Sequence, residues 1–245
     1  EGQKWNIKPN SSYFVIRDGS SLIAFKTGDL KDYAFNIVAG HTDSPCLRIK
    51  NNSVVYTENY AKLNVETYGG GLYYTMLDRP LKIAGRVIVK EGNCLKSIPA
   101  ISDFYVTIPS LAIHINREAN NKLSLNPQTD LMPLVGLGKN VDLLKAIVGE
   151  AEVVDYDLFI VPASKPYTFG INNEFMAAPR LDDLAGAYGG IMSLINSNPS
   201  NLAICACFDN EEIGSSTKQG AGSTFLKDVL KTINHSLKNV LPAPC

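Results

Sequence analysis

Three short segments of this 245-residue chain hold the residues best suited to chemistry: His41-Thr42-Asp43, Asp182-Asp183 and Asp209-Asn210-Glu211-Glu212. Acids packed as closely as those at 209–212 repel one another and are costly to desolvate. Either that turn is solvated, or a cation sits among the carboxylates. Residues two apart in an extended segment share a side. Asp43 can therefore accept the Nδ1 proton of His41 and leave Nε2 free for a metal, a pairing that fixes the tautomer and strengthens the ligand. A local turn bond is the plainer explanation of the same pair. Asp182 or Asp183 can cap the helix they open, while the other points into a crevice. Glu211 and Glu212 diverge on an irregular turn, so one carboxylate can bind a metal while its neighbour acts as a general base. One imidazole and several carboxylates fit a pair of divalent cations, which in such centres lie ~3.5–4 Å apart. These donors suit zinc, manganese or cobalt.

The flanking pattern predicts how these segments meet. His41-Thr42-Asp43 follows the strand FNIVAG, and the acidic turn follows NLAICACF. In open α/β sheets ligands bind beyond the carboxyl ends of strands, so two of the three segments point at one sheet edge. No charged residue occurs from Leu202 to Phe208, which predicts a central strand there. YAFNIVAG reads as a short buried strand, and SYFVIRDGSSLIAFKTG as a hairpin turning at Asp18-Gly19. From 52 to 154 the runs become short, β-rich and glycine-punctuated (KLNVETYGGGLYY, LKIAGRVIVK, FYVTIPSLAIHI). They predict an inserted all-β module with a loop over NREANNKLSLNPQTD and a short helix over NVDLLKAIVGE. After Asp155 the α/β pattern resumes with the strand YDLFIVPA. A helix follows, with Leu184, Ala187, Tyr188, Ile191, Leu194 and Ile195 at helical spacing. A second helix is capped by Ser223 or Thr224. The expected fold is thus an α/β domain made of 1–51 and 155–245, split by 52–154. Within the insertion, His114 reads as a half-buried strand histidine.

Composition narrows the function classes. Apolar content of 45%, charged content of 19% and a net charge of −1 give no reason to expect a nucleic-acid or anionic-membrane partner. No apolar stretch reaches the ~20 residues of a membrane helix, and EGQKWNIKPN does not read as a signal peptide. Five cysteines, at 46, 94, 205, 207 and 245, include no C-x-x-C pair and fit reduced thiols in a cytoplasm. Cys205 and Cys207 share one strand face and read as a packed core pair. GLGKN and GAGST lack the spacing of a phosphate loop, and Ser215 and Ser216 have no convincing histidine partner.

Taken in order, GHTDSPCLRIK, YGGGLYYTMLDRPLKIAGRV, IPSLAIHI, APRLDD and FDNEEIGSS resemble the aspartyl aminopeptidase family of two-zinc exopeptidases over nearly the whole chain. The resemblance implies a three-layer zinc-exopeptidase-like catalytic domain split by a β-rich dimerisation domain. It implies that His41 binds one zinc with Asp43 orienting it, that Asp182 bridges two zincs, that Glu212 binds the second, and that Glu211 is the general base. It further implies that His114 serves a neighbouring subunit's active site, and that dimers stack into a dodecamer acting on peptides with a free, acidic or broader N-terminal residue. Asp183 stands where many relatives are expected to carry Asn. The family's last two ligands, an Asp and a His, lie well beyond its Glu-Glu pair. After Glu212 this chain offers only Asp228 and His235, outside the family's context, so the chain is expected to be part of a longer protein. The alternatives are an inactive assembly or binding subunit and a related two-metal carboxypeptidase or deacylase.

Overall fold

The computed structural model describes residues 5–30 and 34–237; Cys245 lies outside them. In chain order the elements are β1 (Ser12–Arg17), β2 (Ser21–Thr27), β3 (Phe35–His41), β4 (Cys46–Thr57), β5 (Tyr60–Tyr68), β6 (Leu81–Glu91), β7 (Cys94–Ile101), β8 (Leu134–Leu137), α1 (Leu143–Val148), β9 (Val153–Pro162), β10 (Tyr167–Phe169), β11 (Phe175–Ala177), α2 (Leu181–Asn196), β12 (Leu202–Phe208) and α3 (Phe225–Leu237). They divide into two compact units, one made of 1–44 and 180–245, the other of 45–179.

The first unit is built on a four-stranded sheet of order β1-β2-β12-β3. β1 and β2 form the expected hairpin, with Asp18 and Gly19 both at positive φ (50° and 75°), the geometry that a tight primed turn requires. β12 pairs antiparallel with β2 and parallel with β3, placing Phe208 opposite His41. Its side chains alternate between two helices. Leu202, Ile204, Ala206 and Phe208 join Ile23 and Phe25 against Phe225, Val229, Ile233 and Leu237 of α3. Cys205 and Cys207 pack with Ala187 and Leu194 of α2. The result is three layers, helix on sheet on helix. Burying each large apolar side chain in such a core contributes about 1.5–3 kcal/mol. α2 comes close because Gly190 faces Cys205; a Cβ there would stand 2.8 Å from the Cys205 sulfur. Burial pushes the Cys205 thiol up to about 12, and its sulfur lies 3.9 Å from that of Cys207, the arrangement of two protonated thiols packed in a core.

Two expectations for this unit need correction. β3 is not buried: Ile37 and Val38 are 43% and 48% exposed, because among the described residues β3 is an edge strand with a single hydrogen-bonded neighbour. The apolar stripe of α2 is wider than its buried face. Ala187 and Leu194 are buried, whereas Leu184, Tyr188 and Ile195 are exposed. At the start of α3, the Phe225 amide donates to Ser223 Oγ (3.2 Å).

The second unit holds a six-stranded antiparallel sheet of order β7-β6-β9-β4-β5-β8 over a core that includes Leu47, Leu63, Ile83, Leu158 and Ile160. It is wider than 52–154. β9, expected in the α/β layer, instead pairs with β6 from Leu81↔Pro162 to Val89↔Val153, and β4 pairs with both β5 and β9. The expected loop and short helix are present, the latter capped by the Asp142 carboxylate on the Lys145 amide. The expected strand FYVTIPSLAIHI is not a strand. Isolated bridges involve Val106, Thr107 and Ile108, and residues 113–115 form a turn. No described helix is long and apolar enough to cross a membrane.

Candidate metal centre

The site forms where β3 and β12 end side by side. The Thr42 amide donates to Phe208 O (2.8 Å), and Thr42 Oγ1 donates within 3.2 Å of both Ser20 O and Phe208 O. These bonds bend the chain across the ends of the strands. The acidic turn is held as firmly. The Asp209 amide donates to Ser21 Oγ (3.0 Å), and that hydroxyl, fully buried, donates to Gln219 O (2.7 Å). Asn210 takes the left-handed conformation (φ 61°) and accepts from Thr217 Oγ1 at 2.7 Å. A single 3-10 turn, Glu211–Ile213, follows. Gly220 lets the loop close on itself, since a Cβ there would lie 2.2 Å from the Ser215 carbonyl oxygen.

Asp43 joins the two strand ends. Its side chain is 7% exposed and its carboxylate faces three donors: His41 Nδ1 at 3.3 Å, the Glu211 amide at 3.1 Å and the Glu212 amide at 3.2 Å. His41 Nδ1 also lies 3.1 Å from the Asp43 carbonyl. Nδ1 is thus committed to Asp43, and Nε2 faces the acids, 3.2 Å from Asp182 Oδ1 and 3.9 Å from Glu211 Oε2. Burial alone would lower the His41 pKa; Asp43, Glu211 and Asp182 outweigh it and raise the value above 6.5.

Asp182 and Asp183 divide their tasks at the start of α2. The peptide between them is cis. Asp182 sends its carboxylate toward His41 Nε2, and its carbonyl accepts from Ser44 Oγ (3.2 Å). Asp183 accepts from the His41 amide (3.0 Å). Its carboxylate lies in a slot lined by two glycines: a Cβ on Gly40 or Gly186 would come within 2.5 Å and 2.1 Å of it. Reading the sequence for metal ligands passes over this positioning role of Asp183, and over Thr42, Ser44 and Ser21. The signal available was the second Asp beside Asp182 and the glycines at 40 and 186.

Ligand atoms of His41, Glu211 and Glu212 all lie within 4.8 Å of one another, and Asp182 Oδ1 lies 3.2 Å from His41 Nε2. One imidazole held by a carboxylate, with three further carboxylates on an open rim, is a donor set that zinc accepts. The fit rests on the committed Nδ1: the nitrogen left for a metal is the one that faces the acids. Asp228 and His235 are not brought to this rim by any described contact. Both lie on α3, where Asp228 bonds Thr224 Oγ1 (2.6 Å) and pairs with Arg17 (3.6 Å). His114, in the other unit, is exposed and sits in a turn rather than half-buried in a strand.

Comparison with known proteins gives one consistent result. The family model described as aminopeptidase I zinc metalloprotease (M18) matches residues 1–241. A probable M18 family aminopeptidase 2 of Clostridium acetobutylicum is 44% identical over 250 residues, covering 95% of this chain and 58% of the relative. Aspartyl aminopeptidase 1 of Schizosaccharomyces pombe is 36% identical over 264 residues, covering 93% of this chain and 56% of its own length. The solved mApe1 dodecamer of S. cerevisiae superposes with a TM-score of 0.79 at 26% identity, covering 100% of this chain and 59% of that one. The chain spans less than three fifths of the length of these relatives.

Proposed function

Because the chain belongs to the M18 family of aminopeptidase I zinc metalloproteases, we propose that the whole protein is a zinc-dependent aminopeptidase that removes N-terminal residues, acidic ones above all, from peptides. The observation that supports this reading is the meeting of the Asp182 and Glu211 carboxylates at His41 Nε2, the nitrogen that Asp43 leaves open, with Glu212 grouped beside His41 and Glu211. His41, Asp182 and Glu212 would hold the zinc, two ions per subunit, and manganese or cobalt could stand in for it. Bound zinc supplies Lewis acidity for the scissile carbonyl and for water at the site. Glu211, 55% exposed beside His41 Nε2, takes the proton from the attacking water and delivers it to the leaving amine. Asp43 keeps the His41 ring oriented and fixes both glutamates through their backbone amides. Asp183 fixes the His41 backbone in the same way.

The acidic preference is drawn from the S. pombe relative, which is named an aspartyl aminopeptidase. By analogy with the S. cerevisiae dodecamer, the protein assembles as a homo-oligomer, with the 45–179 unit serving dimerisation. His114 then contacts substrate in a neighbouring subunit. Among the described residues, Cys94, Cys205 and Cys207 are in no disulfide, in keeping with a reducing, cytoplasmic setting. The reading is tested by assaying peptides with a free or an N-acetylated terminus, with and without chelator. Cleavage of the free-amino peptides alone, abolished by chelation and restored by zinc, is expected. Equal cleavage of acetylated peptides would point instead to a carboxypeptidase or deacylase.

A further inference from the structure

We propose that Asp78 is a positioning residue for the reaction: its carboxylate clasps the root of the loop that carries His114 and sets where that imidazole is presented. The inference rests on the reading that His114 contacts substrate in a neighbouring subunit. The geometry is local and specific. Asp78 is held in the left-handed region (φ 54°), a conformation uncommon outside glycine, and its amide donates to Ile108 O at 2.9 Å. Its carboxylate accepts twice from the next turn of chain, from the Ser110 amide at 2.8 Å and from Ser110 Oγ at 2.5 Å. Ile108, 1% exposed, is part of the core of this unit. The clasp is therefore the last fixed point before the chain leaves the core. Beyond it, Leu111, Ile113 and Ile115 are 62%, 45% and 73% exposed. The turn that holds His114 has backbone bonds of its own, from the Ile115 and Asn116 amides to Ala112 O. His114 thus sits on a preformed turn four residues past Ser110, with exposed apolar side chains around it and the Asp78 carboxylate at its base.

Those bonds explain what the carboxylate does. It accepts from both Ser110 donors with full charge. An amide could still accept from the Ser110 N–H and donate to Ser110 Oγ, so Asn weakens the clasp while Gly, which suits the φ of 54°, leaves no acceptor. Asp78→Gly therefore loosens the root of the loop without touching the core beneath it. The residue is exposed, and the Ser110 bonds lower its pKa, so it is a charged acceptor at neutral pH.

The test is a double-mutant cycle on kcat/KM in the assembled, zinc-loaded enzyme, with assembly checked by mass. His114→Gln sets the contribution of the imidazole. Asp78→Gly is expected to lower kcat/KM by about tenfold or more, towards the roughly hundredfold loss that ~1 Å of misplacement can cost. Ser110→Ala, which removes one of the two bonds, is expected to lower it less. In the His114→Gln background both changes should cost under about twofold, since they act through the residue already removed. If Asp78→Gly costs the same factor with and without His114, Asp78 is merely structural and the inference is overturned. It is also overturned if His114→Gln is impaired while Asp78→Gly and Ser110→Ala are both fully active. A fully active His114→Gln enzyme is a different failure: it removes the reading of His114 itself.

Discussion

Replacing Asp43 with Asn changes one atom type and exposes what the buried carboxylate does. In the wild-type chain, Oδ1 serves both His41 Nδ1 (3.3 Å) and the Glu211 amide (3.1 Å), while Oδ2 serves the Glu212 amide (3.2 Å). Asn has one accepting oxygen. If it takes the Oδ1 position, its NH2 group opposes the Glu212 amide; if it takes the other, the Glu211 amide is opposed. At least one charge-assisted bond is lost, a loss of about 1.5–3 kcal/mol at a buried site. The tautomer survives better than the turn, because the Asp43 carbonyl lies 3.1 Å from Nδ1 and does not change. Removing a partner that orients a ligand typically costs 10–100-fold in metal affinity. With the carbonyl retained, Asp43→Asn should fall near the tenfold end and Asp43→Ala, which loses all three contacts, near the hundredfold end. Zinc affinity is read by competition with a chromophoric chelator, and circular dichroism checks that each variant is folded. A folded Asp43→Asn or Asp43→Ala protein binding zinc within about twofold of wild type would refute this chain of reasoning, the margin being that of additivity errors.

Other consequences can be measured with the same material. Glu211→Gln removes the proton acceptor but keeps the side-chain volume, so kcat should fall by about 10²–10⁴-fold while zinc stays bound; an unchanged kcat would assign the base elsewhere. Gly186→Ala would set a Cβ 2.1 Å from the Asp183 carboxylate and displace it from the His41 amide, lowering stability in urea by about 1–3 kcal/mol, as overpacking does. A neutral result would mean that the slot relaxes. The raised His41 pKa has a definite sign. In the metal-free chain its contribution to stability is fully present below the unfolded value of about 6.5 and is lost as pH rises through the folded value. Zinc needs the neutral ring, so uptake near pH 6 should release a proton and weaken on further acidification. Calorimetry in buffers of different ionisation enthalpy reads that proton, and identical heats in all buffers would contradict it.

How far the sequence alone reaches can be seen strand by strand. The charge-free run Leu202–Phe208 does become an inner strand, and the two segments after FNIVAG and NLAICACF do meet at one sheet edge, since parallel pairing puts Phe208 opposite His41. The pattern could not say which sheet an apolar strand joins. YDLFIVPA looks the same in an α/β layer as in an antiparallel sheet, and only its non-local pairing with β6 places it. Exposure of Ile37 and Val38 was hidden for a related reason: an apolar run does not reveal whether its strand is inside or at an edge. LAIHI reads as a strand by its β-branched residues, yet Asp78 takes the Ser110 amide and hydroxyl and the chain turns away. At the site, the meeting of His41 and Asp43 with Glu211 and Glu212 was legible because both segments follow strands of one sheet. Asp183 was not, because its contact is with a backbone amide 142 positions away.

The position of zinc in the whole protein is the most direct measure of the role of His41. Anomalous diffraction collected at the zinc absorption edge should show density within about 2.0–2.2 Å of His41 Nε2 and of a carboxylate oxygen from Asp182 or Glu212, with Glu211 beside it and unligated. A zinc-loaded, active crystal whose anomalous density lies away from His41, or on its Nδ1 in place of Asp43, would contradict it.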